Sequence, residues 1–174
     1  MRQLAMAVLA AGIALTSARA ETPEEWIRLG ARVHGAFGAY IPVGIRIGLD
    51  ALQRLDAKAR EVTVLYYDSD KAPCACFADG IALATVATFG ARTMRLAPEK
   101  TPEGAMAVVV VRNKKTGAAV KYTVADTWIP KLAEWNRTLD LRARYDEVMK
   151  AEGVFSVASE KQPVARKKDL PDQR

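Results

Sequence analysis

The chain has 174 residues, 50% hydrophobic and 26% charged, which suits one globular domain and excludes a disordered chain or a polytopic membrane protein. Its formal net charge is +6. Arg2 and Arg19 lie in a segment expected to be removed, and much of the rest sits at Lys161, Arg166, Lys167, Lys168 and Arg174. No basic stripe interleaves with aromatic residues, so nucleic acid is not an expected partner.

Residues 1–20 read as a secretory signal. Arg2 gives the positive start, Leu4 to Leu15 an apolar or small-residue run, and Ala18-Arg19-Ala20 a small-x-small cleavage pattern. A membrane span needs about 20 apolar residues, more than this run supplies, so no span is expected. The mature protein is therefore expected in the periplasm or outside the cell. The predicted organisation is a cleaved signal over 1–20, one α+β domain over 21–151 and a flexible basic tail over 152–174.

Thr22-Pro23-Glu24-Glu25 opens a helix with an N-cap, an early proline and acids in the first turn. Trp26, Leu29 and Val33 continue it, and His34-Gly35-Ala36-Phe37-Gly38 ends it. A second helix starts near Ile41-Pro42 with an apolar stripe of Ile41, Ile45, Leu49 and Leu52. Gly44 and Gly48 share one face of it. Since a helical glycine costs about 1 kcal/mol, another backbone or a ligand should approach that face closely.

Residues 61–67 read as a strand, 68–73 as a polar loop, and Asp79 to Ala87 as a third, buried helix. A short strand around Met94 and Leu96 follows, then an apolar strand over 105–112, a hairpin turn at Asn113–Gly117 and a returning strand over 118–124. Asp126 is expected to cap a helix carrying Trp128, Leu132 and Trp135, and a last helix covers about Thr138 to Ala151. The order lacks regular β-α alternation, so the predicted class is α+β.

Chemistry-bearing residues are few. His34 is the only histidine, and Cys74 and Cys76 are the only cysteines. Thiols in an oxidising compartment are usually paired. A bond between cysteines so close in sequence would close a very small ring, which is atypical of a structural staple. Metal binding or redox work is the sharper expectation. Cys76 precedes a helix, whose dipole stabilises a thiolate. Asp79 is a candidate to ligate, to orient a ligand or to cap the helix. One histidine and no nucleophile elbow disfavour a Ser-His-Asp hydrolase, and no Gly-rich phosphate loop is present.

The stretch Val33 to Gly48, His-Gly-Ala leading into a helix with Gly44-Ile45-Arg46-Ile47-Gly48, resembles the His-Gly-His and Gly-x-Arg-x-Gly motifs of the FmdE family of formylmethanofuran dehydrogenase proteins. Cys76 followed by Asp79-Gly80-Ile81 resembles its second motif, and Ala84 to Gly90 its Gly-Cys-Thr-x-Gly stretch. The hairpin at Lys115-Thr116-Gly117 fits too, and the resemblance covers roughly residues 24–125. It implies an FmdE/GAPDH-domain-like α-β-α-β-β-β core with C-terminal helices, and a metal site involving His34, Cys76 and Asp79, with Cys74 as a substitute ligand. Two family ligand positions are Ala36 and Ala87 here.

The leading expectation is thus a periplasmic FmdE-like protein holding a transition metal, zinc first and copper or haem iron as alternatives, through a His/Cys site. The others are a thiol redox enzyme using Cys74 and Cys76 with His34 as base, and a non-catalytic binding module whose Gly44/Gly48 face and Trp128/Trp135 line an apolar pocket. No residue is assigned a catalytic role. A homodimer would cover a sheet edge and exposed tryptophans.

Overall fold

The computed structural model describes residues 20–160. The predicted signal over 1–20 therefore falls, apart from Ala20, outside the described residues. None of the helices among the described residues is long and apolar enough to cross a membrane.

Helix α1 (Pro23–His34) begins with a capping box: the Thr22 hydroxyl accepts from the Glu25 N–H, and the Glu25 carboxylate accepts from the Thr22 N–H. It ends at Gly35, whose φ of 88° is the left-handed conformation that lets the chain turn away directly after His34. Helix α2 (Tyr40–Arg54) is buried on more than one side. Ile41, Val43, Ile45, Ile47 and Ala51 are all fully enclosed. The expected stripe is only half right, because Leu49 remains 38% exposed while Val43 and Ile47, off the stripe, are covered. A single-face periodicity describes a surface helix, whereas α2 is a central one.

Strand β1 (Val62–Tyr67) leads through a loop to helix α3 (Cys76–Thr85), which crosses over to strand β2 (Met94–Leu96). Strands β3 (Ala105–Asn113) and β4 (Ala119–Ala125) form the hairpin. A short 3-10 turn (Asp126–Trp128) precedes helices α4 (Ile129–Thr138) and α5 (Leu141–Lys150), and strand β5 (Ser156–Glu160) follows. The sheet runs β2-β1-β3-β4-β5, with β1 and β2 parallel and the other pairs antiparallel. The helix–strand–helix–three-strand core is the predicted α+β order.

Alternating strand residues Val62, Val64, Tyr66, Val109, Val111, Val120, Tyr122 and Val124 join the helices in one contiguous core. On the other sheet face Val108 and Val110 are buried but stand outside that core.

The Gly44/Gly48 face meets another helix. A Cβ on Gly44 would lie 2.1 Å from the Phe77 carbonyl oxygen, and one on Gly80 would lie 2.1 Å from the Ile41 carbonyl oxygen. Helices α2 and α3 thus touch backbone to backbone, and only glycine permits that approach. This removes the expected shared pocket between the glycine face and Trp128/Trp135. Helix α3 fills that face, and the tryptophans pack near each other elsewhere, ring centroids 6.3 Å apart.

Three other expectations shift. Helix α3 starts at Cys76, three residues before Asp79, because the first-turn residues Cys76 and Phe77 are themselves buried. Asp126 caps nothing with its side chain; its carboxylate meets the Lys71 ammonium at 2.5 Å. Helix α4 has Trp128 at its N-cap and no side-chain cap, whereas α5 has one: the Asp140 carboxylate accepts from the Ala143 N–H at 2.8 Å. Finally, the predicted tail from 152 begins instead with ordered structure. Val154 is buried, and Ser156–Glu160 pairs with β4. Polar, small residues suit an edge strand that presents one rim to water, which is why composition read them as tail.

The C-terminal elements hold the middle of the chain. Arg46 on α2 donates to the carbonyls of Val148 and Ala151 at the end of α5, and its guanidinium lies 5.3 Å from the centre of the Phe155 ring. Arg144 on α5 donates to the carbonyls of Phe37, Asn136 and Leu139 at 2.6, 2.9 and 2.9 Å, and the Asn136 side chain accepts from the Ala39 N–H at 2.7 Å. The loop between α1 and α2, directly behind His34, is thereby pinned from two helices.

Candidate metal centre

Three segments converge at one end of α3. Helix α1 ends at His34, the loop after β1 delivers Cys74, and α3 opens with Cys76 and carries Asp79 in its first turn. A ring nitrogen of His34 and the two sulfurs all lie within 4.8 Å of one another. The sole histidine and the only two cysteines, 40 residues or more beyond it in sequence, therefore form a group that can hold a metal ion. Imidazole and thiolate are donors suited to zinc and copper.

Of the three roles considered for Asp79, its position matches orienting a ligand. Its Oδ2 is 2.7 Å from His34 Nδ1, and it does not join the three-residue ligand group. The carboxylate faces the ring rather than the sulfurs. Such a contact sets the orientation and tautomer of an imidazole, leaving Nε2 as the outward nitrogen. Both side chains keep some water contact, 28% for His34 and 38% for Asp79. The contact is therefore one of positioning rather than a large contribution to stability.

Cys74 and Cys76 are joined as a disulfide, with Cα atoms 5.3 Å apart. The small ring closes, the pairing that was expected to be atypical of a structural staple, across the bend at Ala75 that leads into α3. Disulfide sulfurs are poor metal ligands, so the ligand group becomes complete when the pair is reduced to thiolates. Cys76, at the first position of α3, then sits where the helix dipole favours the anion.

The sequence reading did not single out Tyr66. It lies on the helix-facing side of β1, 1% exposed, and lines a cavity of about 240 Å³ together with His34, Cys76, Asp79, Met94 and Leu96. Its hydroxyl is buried and, among the described residues, has no hydrogen-bond partner. Burial first, and then the negative carboxylates of Asp68 and Asp79, push the phenol far above its ordinary titration range, so it stays a neutral donor. A tyrosine in an alternating β-strand reads as core, and only the fold shows which cavity it borders.

A mixed sheet with helices around it and a His/Cys cluster at the mouth of one helix defines a small α+β protein able to hold a metal ion. The chain belongs to the FmdE family, described as FmdE, Molybdenum formylmethanofuran dehydrogenase operon, which it matches over residues 33–166. That span begins one residue before His34 and runs past β5. No curated protein matches the chain.

Proposed function

We propose that this is an exported, periplasmic member of the FmdE family that, with Cys74 and Cys76 reduced, holds one transition-metal ion through His34 Nε2 and the two thiolates. The observation that carries this reading is the convergence of a His34 ring nitrogen and both sulfurs within 4.8 Å; the Asp79 carboxylate on Nδ1 supports Nε2 as the ligating atom. Zinc is the first choice for such a donor set, and copper the second. A bound ion with three protein ligands and an open position supplies Lewis acidity. His34 and the thiolates would hold it, while Asp79 fixes the ring.

Metal analysis of the protein purified with reductant under nitrogen tests the reading. About one ion per chain is expected, falling to background in His34→Ala and in the air-oxidised protein. Sub-stoichiometric metal that is the same in wild type and His34→Ala defeats it.

The bonded state of Cys74 and Cys76 favours a second reading, a thiol–disulfide redox protein with His34 as the nearby base. Alkylation followed by mass spectrometry separates the two. A reversible two-proton mass change in metal-free protein at the potential of ordinary dithiols supports the redox role. Thiols that stay protected from alkylation as long as metal is present support the first.

A further inference from the structure

The cavity beside the cluster shares a wall with a second one. Phe89, Met94 and Leu96 border it and also a neighbouring hollow of about 320 Å³, whose other walls are Arg92 and Arg95. Phe89 and Leu96, at 66% and 55% exposure, are among the few large hydrophobic side chains left in water. The charge beside them has one sign. Elsewhere on the surface a lysine lining a hollow has a carboxylate for company: Lys115 has Glu61 at 2.5 Å, and Lys100 has Asp70 at 2.9 Å. The hollow beside β2 holds two guanidiniums and no carboxylate. Among the described residues neither Arg92 nor Arg95 makes an ion pair or a side-chain hydrogen bond. The segment that carries them is tied down. The Thr88 carbonyl accepts from the N–H groups of Thr93 and Met94 at 3.0 and 3.1 Å, the Phe89 carbonyl accepts from Arg92 N–H at 2.9 Å, and the Thr93 hydroxyl accepts from Thr88 N–H at 3.0 Å. Within this turn Arg92 is held at a φ of 56°, in the left-handed region. A turn fixed in this way sets Phe89 and Arg92 in place before any ligand arrives, which lowers the cost of ordering them on binding.

We propose that the two hollows form one site for a small organic anion, a carboxylate held by Arg92 and Arg95 and joined to an apolar body that lies on Phe89, Met94 and Leu96. A guanidinium offers a planar pair of donors that matches a carboxylate. The anionic end belongs at the arginines, because the carboxylate in the other hollow, Asp79, already faces His34 at 2.7 Å. The apolar end then points towards the His/Cys cluster. The size agrees: an apolar cavity of about 150 Å³ holds benzene, so about 240 Å³ holds a ring with a short side chain. Both halves are needed for selection. A bare anion gains only exposed ion pairs, which are weak, and an uncharged molecule gains none. The apolar residues line hollows, which suits a small molecule better than a membrane surface. The inference goes beyond the metal reading and does not require it, because the walls named are present with the disulfide closed.

The test uses the purified disulfide form and three probes: 3-phenylpropanoate, the uncharged 3-phenylpropan-1-ol, and acetate as the bare anion. Each is titrated by amide chemical-shift NMR. Shifts centred on Phe89, Arg92, Met94, Arg95 and Leu96 are expected, with 3-phenylpropanoate bound at about 1 mM and each of the other probes about tenfold weaker. The double variant Arg92→Gln/Arg95→Gln should weaken the acid about tenfold and leave the alcohol unchanged. Both positions are exposed and neither side chain has a partner to lose, so the fold should persist. Leu96→Gln, also at an exposed position, should weaken the acid and the alcohol alike. The proposal is overturned if the acid moves none of those amides at about 10 mM, if the alcohol or acetate binds as tightly as the acid, or if the double variant leaves the acid unaffected. It is equally overturned if the protein sediments with phosphatidylglycerol vesicles through these arginines while the soluble acid does not bind, which would make the surface a membrane contact. Zinc titration of the same samples after reduction keeps this site apart from the metal centre: failure of the acid with zinc binding intact sinks this inference alone, and the converse sinks only the metal centre.

Discussion

Helix α3 serves two regions that differ in almost every respect. Along its length, Phe77 and Ile81 are fully enclosed, and Gly80 touches the backbone of α2. At its first turn, Cys76 and Asp79 face a half-open cavity, and Asp79 keeps 38% of its exposure. The closed side leaves no room for adjustment and makes α3 a fixed platform. The open end uses that rigidity, because a ligand cluster drawn from three separate segments holds its geometry only if one of them cannot move. Packing and chemistry are thus divided along the ten residues of one helix.

The comparison can be broken most severely at the closed side. Gly80→Ala places a methyl 2.1 Å from the Ile41 carbonyl oxygen, where backbone rather than a flexible side chain must give way. A loss of about 3 kcal/mol is expected in urea unfolding, together with loss of metal binding because α3 is displaced. Asp79→Asn works at the open end and should show the reverse balance. Removing the carboxylate from His34 Nδ1 should cost roughly 10–100-fold in zinc affinity by competition titration, yet change unfolding by less than about 0.5 kcal/mol, since the pair is partly exposed. If Asp79→Asn destabilises the fold as much as Gly80→Ala does, the two regions are not separable. The smallest effect is expected at the other end of α3. Val86, the C-cap, has a φ of 56°, a left-handed conformation that a β-branched residue adopts only under strain. Val86→Gly should raise thermal stability by about 1 kcal/mol and leave zinc affinity as it is, sharpening the view that α3 is held along its middle rather than at its ends.

The legibility of these regions in the sequence differs in the same way. The closed side was half legible. Gly44 and Gly48 announced a close approach, but its partner, Gly80, is more than 30 residues away and nothing local pairs them. The cluster was legible in its members, since a chain with one histidine and two cysteines has few other places to put soft-ligand chemistry. The role of Asp79 was not, because helix capping, ligation and contact with an imidazole use the same residue type. Tyr66 and the end of the sheet were hidden for a related reason. A strand tyrosine reads as core until its neighbours are known, and Ser156–Glu160 has the composition of a tail until β4 supplies its partner.

Arg46 gives the chain a timetable. Its guanidinium is built into the second helix, yet the carbonyls that receive it belong to Val148 and Ala151, and the ring above it to Phe155. A polypeptide emerging from the ribosome has made strands β1 to β4 before that cation can be satisfied. Until then the guanidinium of the central helix stays in water, and the contacts that tie α2 to the C-terminal segment are not made. On the proposed route across a membrane, a fastening that closes only with the end of α5 and the segment after it is expected to delay compaction until most of the chain has crossed. Nascent chains stalled just after Tyr145, short of both receiving carbonyls, should then be digested by protease as readily as unfolded protein, and resistance at that length would refute the delay.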